Sequence, residues 1–243
     1  TETRSSHVAA LDIIEKMKEI AVTEFGGSTA DYSIGEERVC LTSDSAKGMS
    51  YGEAAQKAIE MGGKYSGMGY PENINATTER SVQAMAATGL IGVAKDLLPR
   101  AGAVPGMAIA FVEIELDKET GKFEILDYSA VAECGTVVHP KGLSRAMNGG
   151  GVWGFGMAQS ERHVYDPQNG LPANIGLYQS KPPTYLDVPL NMNTVGMDMP
   201  DPQSPVGARG IGEPAQGCAV AALMSAFSDA LDGHLFNRTP VTA

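Results

Sequence analysis

The chain has 243 residues, 43% of them hydrophobic, with 18 Lys and Arg against 29 Asp and Glu for a net charge of −11. That is enough chain to bury a substantial core as one large or two closely packed domains, and no apolar run reaches the about 20 residues a membrane-crossing helix needs. The acidic balance repels phosphate backbones and argues against a nucleic-acid partner, while Cys40, Cys134 and Cys218 make no metal or redox spacing and point to a reduced, cytoplasmic setting.

In chain order, residues 8–24 place Val8, Leu11, Ile14, Ala21 and Val22 on one face of a helix, capped by Ser5 or Ser6 and stopped by Gly26 and Gly27. Residues 32–34 and 38–41 flank a Gly-Glu-Glu turn and read as a hairpin; Ser50 then caps a helix running to Glu60. Residues 62–71 are rich in glycine and read as loop. Residues 77–98 have helical composition despite Gly89 and Gly92, which predicts one or two surface helices, with a covered partner surface as the alternative. Residues 108–116 and 123–134 form the most secure hairpin, around a turn with Gly121 at positive φ.

Residues 141–148 read as a helix that runs into Gly149, Gly150, Gly151, Gly154 and Gly156. The spacing Gly-x-Gly-x-x-Gly matches a dinucleotide fingerprint, but no strand precedes it and no acidic residue follows in the required context. Glycine in a helix costs ~1 kcal/mol against Ala, so the run needs a reason: another backbone or a cofactor approaches closely there. Residues 215–231 are a long apolar helix opened by Pro214 and ended by Gly233. His7, His139, His163 and His234 are dispersed and read as structural, with His139 the nearest of them to a site or a partner interface.

The segment Val206-Gly207-Ala208-Arg209-Gly210-Ile211-Gly212-Glu213-Pro214 isolates one carboxylate among glycines at the start of that last helix. Gly207, Gly210 and Gly212 allow backbone conformations closed to other residues and close approach of a bulky ligand. Glu213 thereby stands beside helix N-terminal N–H groups as a candidate base; the competing reading is a solvated turn whose Glu complements the helix dipole.

The stretch 207–214 resembles the active-site signature of the molybdenum hydroxylases, the xanthine dehydrogenase and aldehyde oxidase family. Further segments resemble the family in the same order: Phe111 to Asp117 and Thr120-Gly121-Lys122, Ala132-Glu133-Cys134-Gly135, Val138-His139-Pro140, Asn148 to Gly156, residues 181–189, and Asp201-Pro202. Arg4-Ser5-Ser6 is similar to the family's pterin-contacting run. The resemblance implies an α+β fold of mixed sheets packed with helices, the C-terminal portion of a molybdopterin-binding domain. It divides into residues 1–102, with a helical insertion at about 62–100, and residues 103–243. It implies Glu213 as general base, its carboxyl raised by partial burial among glycines and apolar side chains, with Arg4, Ser5, Ser6, Gly151, Trp153, Arg209, Gly210 and Gly212 as cofactor contacts and no side chain ligating the metal. The reaction implied is hydroxylation of an aldehyde or N-heteroaromatic carbon with oxygen from water.

Two departures stand out. Trp153, the only Trp, occupies the place of a family Gln that hydrogen-bonds the cofactor; the indole either packs on cofactor or substrate or is wedged structurally against the glycines. The family's region is also about twice this long. The chain, opening at Thr1, is therefore read as a separately encoded, trimmed or cleaved portion that completes its site with another chain carrying the first half. Molybdopterin with molybdenum, as such or as a dinucleotide, is the implied cofactor. Iron-sulfur clusters and FAD are expected on partner chains or domains, and a small molecule as substrate. Competing readings are a reductive member acting on an aromatic thioester, a scaffold subunit that has lost cofactor, and a hydrolase using Thr1 as nucleophile, which a helix in place of the required strand disfavours.

Overall fold

The computed structural model describes residues 2–99 and 106–241, so Thr1 lies outside the described residues. The chain forms two compact units, Thr1–Arg100 and Ala101–Ala243.

The first unit packs α1 (Glu2–Phe25) and α2 (Tyr51–Met61) on an antiparallel sheet of β1 (Tyr32–Gly35), β2 (Arg38–Leu41) and β3 (Asp44–Ser50), followed by α3 (Ala76–Met85). Its core joins Met17, Ile20 and Ala21 of α1 to Tyr32, Val39, Met49, Ala54 and Ala58. The β1–β2 hairpin turns at Glu36 and Glu37, both at positive φ. Ser50 caps α2 through a reciprocal box: its hydroxyl accepts from the Glu53 N–H at 3.2 Å, and the Glu53 carboxylate accepts from the Ser50 N–H at 2.7 Å. Those bonds hold the Glu53 carboxyl below the usual range. β3 carries no apolar alternation and was invisible to pattern; it forms because its register with β2 lays Met49 on Val39.

Two expectations are corrected here. α1 begins at Glu2, so Ser5 and Ser6 lie inside the helix, exposed, and neither is its cap. Helix also ends at Met85; residues 86–99 run without regular structure and dock on α1. The Val93 N–H donates to Asp12 (2.8 Å), Lys16 reaches Asp12 (2.6 Å) and the Ile91 carbonyl (2.8 Å), and Gly92 leaves room for the Ala9 carbonyl. Arg4 spends its guanidinium on Asp96 (2.7 and 2.9 Å) and the Leu98 carbonyl (2.6 Å). Buried cations on one helix face thus hold a strap that has no ladder of its own.

In the second unit, β4 (Ala108–Leu116), β5 (Phe123–Glu133) and β6 (Met192–Met197) form a mixed sheet in that order, β4–β5 antiparallel and β5–β6 parallel. The crossover from β5 to β6 carries α4 (Pro140–Gln159) and the one-turn α5 (Leu177–Ser180); α6 (Pro214–Ala230) follows. Asp117 shapes the β4–β5 turn by accepting from the Thr120 hydroxyl (2.6 Å) and the Glu119 N–H (2.9 Å), with Gly121 at φ +71°. α4 and α6 cover one sheet face over Tyr128, Met147, Phe155, Leu223 and Phe227.

The glycines of α4 divide by face. A Cβ on Gly150 would stand 2.8 Å from the Ala215 Cβ and 3.0 Å from the Gly212 carbonyl, and one on Gly154 would stand 2.6 Å from both the Ala219 Cβ and the Gln216 carbonyl. These two admit the backbone of α6, as the glycine run led one to expect. Gly151 instead faces the sheet, where the Tyr128 ring takes the space its side chain would fill. Gly149 faces open space.

Gly154→Ala is therefore expected to lower the stability of the chain by roughly 1–3 kcal/mol through overpacking. Gly149→Ala should leave it unchanged or raise it by up to ~1 kcal/mol. Thermal melts of the two variants side by side check the contrast.

Candidate active site

The loop that carries Glu213 is anchored to the end of β5. The Arg209 N–H donates to the Cys134 carbonyl (2.8 Å), the Thr136 N–H to the Gly207 carbonyl (2.8 Å), and the Asp201 N–H to the same carbonyl (2.7 Å). Gly135 must be glycine, since its φ is +66° and a Cβ would strike the Gly207 carbonyl at 2.1 Å. Gly207 is at φ +71° and fits the conformational expectation; Gly210 and Gly212 are not at positive φ. Their contribution is space, because a Cβ at either, or at Gly217 one turn into α6, would meet nothing within 4 Å.

Arg209 is the keystone of this loop. Its guanidinium pairs with the carboxylates of Glu133, at the end of β5, and Asp201 (3.1 Å), with side chains only 17%, 18% and 11% exposed respectively. Asp201 is held below the ordinary carboxylate range first by the Gln203 N–H it accepts and then by Arg209. The guanidinium assigned by resemblance to the cofactor is thus committed to two carboxylates within the chain. Glu133 and Asp201 had been noticed only as parts of matching segments. Two acids in the segments flanking a lone loop Arg were the available signal.

Glu213 begins α6 as its N-cap residue in helical conformation, its carbonyl accepting from the Gln216 N–H at 2.9 Å. Its side chain makes no cap and is exposed, with no hydrogen-bond or ion-pair partner among the described residues. The burial expected around it is not supplied by this chain, because the flanking glycines clear space and place no apolar wall.

Trp153 is 56% exposed, which rules out the wedged indole: the glycine faces it would have filled are taken by α6, Tyr128 and Pro183. Its helical neighbours Gly150 and Met157 touch the Gly212 carbonyl and Gln216, whose side-chain amide donates to the Met157 sulfur at 2.7 Å. Trp153 stands on α4 between these two positions, one helical turn from each. One turn on, Gly156 lies against Pro183 and the Glu161 carboxyl, which burial pushes up. At Gly151, two residues from Trp153, a Cβ would point the other way, onto the Tyr128 ring of the sheet. His139 is the N-cap of α4, its Nδ1 accepting from the Gly142 N–H at 2.7 Å. Arg4, Ser5 and Ser6 belong to the first unit, where Arg4 holds the 86–99 strap.

The second unit thus sets an exposed carboxylate at a helix N-terminus, beside glycines that leave open space. Residues 3–189 match the molybdopterin cofactor-binding domain family, and the chain belongs to it, with the fold of the xanthine dehydrogenase type of molybdenum hydroxylase. It is 35% identical over 135 residues to the 6-hydroxypseudooxynicotine dehydrogenase complex subunit gamma of Paenarthrobacter nicotinovorans, covering 55% of this chain and 17% of that one. The nicotine 6-hydroxylase large subunit of the same organism is 28% identical over 131 residues, 53% of this chain and 16% of that one. Among solved structures, quinoline 2-oxidoreductase from Pseudomonas putida 86 superposes with a TM-score of 0.66 at 25% identity, over 95% of this chain and 27% of that one. The chain thus spans less than a fifth of these curated relatives. No helix among the described residues is long and apolar enough to cross a membrane.

Arg209→Met should cost roughly 3 kcal/mol, the lower end for removing one partner of a buried ion pair, since Glu133 and Asp201 are left uncompensated. The depressed carboxyl of Asp201 contributes stability that is present above its unfolded pKa and lost as pH falls through the folded one. The difference between wild type and variant should therefore shrink on acidification through and below the carboxylate range, as denaturant melts at stepped pH would show.

Proposed function

We propose that the chain forms one wall of the molybdopterin site in an oxidoreductase that hydroxylates a carbon of a nitrogen heteroaromatic, with Glu213 as the base. The observation that carries this is the uncommitted Glu213 carboxylate beside open space over Gly210, Gly212 and Gly217. The residues fit a bulky pterin: glycines that a Cβ would not crowd, and a helix N-terminus suited to anionic groups. When bound, the molybdenum cofactor supplies the electrophilic centre and takes up two electrons.

The chain's own part is to hold and move a proton. Glu213 would take that proton on a carboxylate oxygen as a C–O bond replaces a C–H bond, whose electron pair is the two electrons the bound cofactor would take up, and the clamp of Arg209 with Glu133 and Asp201 fixes the loop so that the carboxylate is preorganised. Trp153 offers a flat apolar face for a planar ring or the pterin. Gly210 and Gly212 let cofactor approach the main chain. The burial Glu213 needs to act as a base near neutral pH then comes from the cofactor and a second chain carrying the other half of the site, with iron-sulfur and FAD subunits removing the electrons. Nicotine and quinoline, named for two of the relatives, are nitrogen heteroaromatics, which favours that substrate class over aldehydes, aromatic thioesters or a cofactor-free scaffold.

In the purified assembly, Glu213→Gln should cut turnover by ~10²–10⁴-fold or more at unchanged molybdenum content, since the amide keeps the shape but takes no proton. Activity within a few-fold of wild type, or an assembly without molybdenum, defeats the assignment.

Trp153→Gln should leave the melting temperature unchanged, as the indole is exposed, and shift KM or substrate preference, as aromatic contact is exchanged for hydrogen bonding. Melts beside steady-state kinetics decide it, and a large drop in stability with unchanged KM counts against a ligand-facing indole.

A further inference from the structure

The mixed sheet of the second unit ends at β4, which has one neighbour, β5, among the described residues. The Glu133 N–H donates to the Met107 carbonyl at 2.8 Å, and Ala108 is in register with Ala132. Odd-numbered residues as far as Glu113 therefore exchange the ladder bonds with β5, and the N–H and C=O groups of Ala108, Ala110 and Val112 point away from it. Natural edges are blunted by proline, lysine, bulges or a covering element. The stretch from 108 to 112 carries no proline, lysine or bulge, and no strand besides β5 pairs with it among the described residues; its face away from α6 exposes Ile109 at 50% and Phe111 at 71%.

α6 overhangs this edge. Beyond β4 it presents only small side chains, Cys218, Ala221, Ala222, Ser225 and Ala226, and ends at Asp229, leaving a groove of about 590 Å³ between helix and strand. Larger residues would have closed the gap. The acidic, exposed Asp229 of α6 lines it. A second copy of this chain would bring net charge −11 and the same carboxylate against it.

We infer that the edge of β4 over residues 108–112 receives an extended segment of a different polypeptide as a fourth strand. Its small apolar side chains fill the groove under α6, and a basic residue stands opposite Asp229. Main-chain bonds to Ala108, Ala110 and Val112 supply affinity, and the alternate side chains facing Ala221, Ala222 and Ala226 supply selectivity. This interface is independent of the redox reading and stands or falls separately.

The test uses the full chain and a synthetic twelve-residue peptide of alternating Val and Thr with Lys at both ends. With saturating peptide, amide exchange at Ala108, Ala110 and Val112 should slow by about tenfold or more, while that of Ile109 and Phe111, already in the ladder, stays constant. Ala110→Pro removes an outward donor without touching a β5 bond and should abolish binding. Ala221→Met fills the groove from the helix side and should weaken it by about tenfold without disturbing the strand. Raised salt should weaken binding further. Unchanged exchange with peptide, or binding undiminished in Ala221→Met, overturns the inference. A concentration-dependent dimer of the chain alone, lost in Ala110→Pro, would assign the edge to a second copy and overturn the choice of partner.

Discussion

The close approach of α4 and α6 is the constraint on which the second unit depends. Gly150 and Gly154 present bare backbone one turn apart, and α6 answers with Ala215 and Ala219, so the two helices meet nearer than side chains of ordinary size permit. Each glycine weakens α4 as an isolated helix by ~1 kcal/mol. What offsets that is dispersion along the seam and the burial of Phe155, Leu223 and Phe227 against the sheet. Once the seam is set, the first turn of α6 has one place to be, and Glu213 with it. Trp153, a third of a turn off the seam, has no room inside and faces outward.

The Arg209 clamp completes this arrangement from the other side. A loop with glycines at 207, 210 and 212 is costly to order; two main-chain bonds to residues 134–136, one between Asp201 and Gly207, and a near-buried cation between two carboxylates hold it. The charges in the clamp are satisfied among themselves, which leaves Glu213 as the carboxylate of the loop without a partner among the described residues. Rigid support and uncommitted carboxylate are thus separate residues, the arrangement that preorganisation requires. The same unit leaves one face of its sheet and the β4 edge with Ile109, Phe111, Val131 and Val195 exposed.

How much was legible in the residues varied with the range of the interaction. The β4–β5 hairpin, the capping of α2 by Ser50, the glycine-bearing α4 and the entry to α6 at Pro214 follow from local patterns that short-range physics enforces: alternation, a box of Ser and Glu, turn glycines. The strand β3 and the strap at 86–99 do not, since each exists only because a distant element offers it a ladder or a carboxylate. The start of α1 was misplaced for a related reason: Ser5 and Ser6 satisfy a capping pattern, but the helix continues through them as Arg4 docks on Asp96.

At the site, the sequence alone determined that a single Glu stands among glycines at a helix start, and the ordered motifs determined the family. Which glycine does what was a tertiary decision. Gly149, Gly150 and Gly151 are adjacent in sequence and chemically identical, yet about 100° of helical rotation between each sends one to open space, one to α6 and one to Tyr128. Likewise nothing local distinguishes an Arg that binds a ligand from one that clamps a loop; the partners of Arg209 lie 76 and 8 residues away and meet it only when β5 and the loop are folded together. Periodicity and caps are read along the chain, whereas faces and charge partners are set across it.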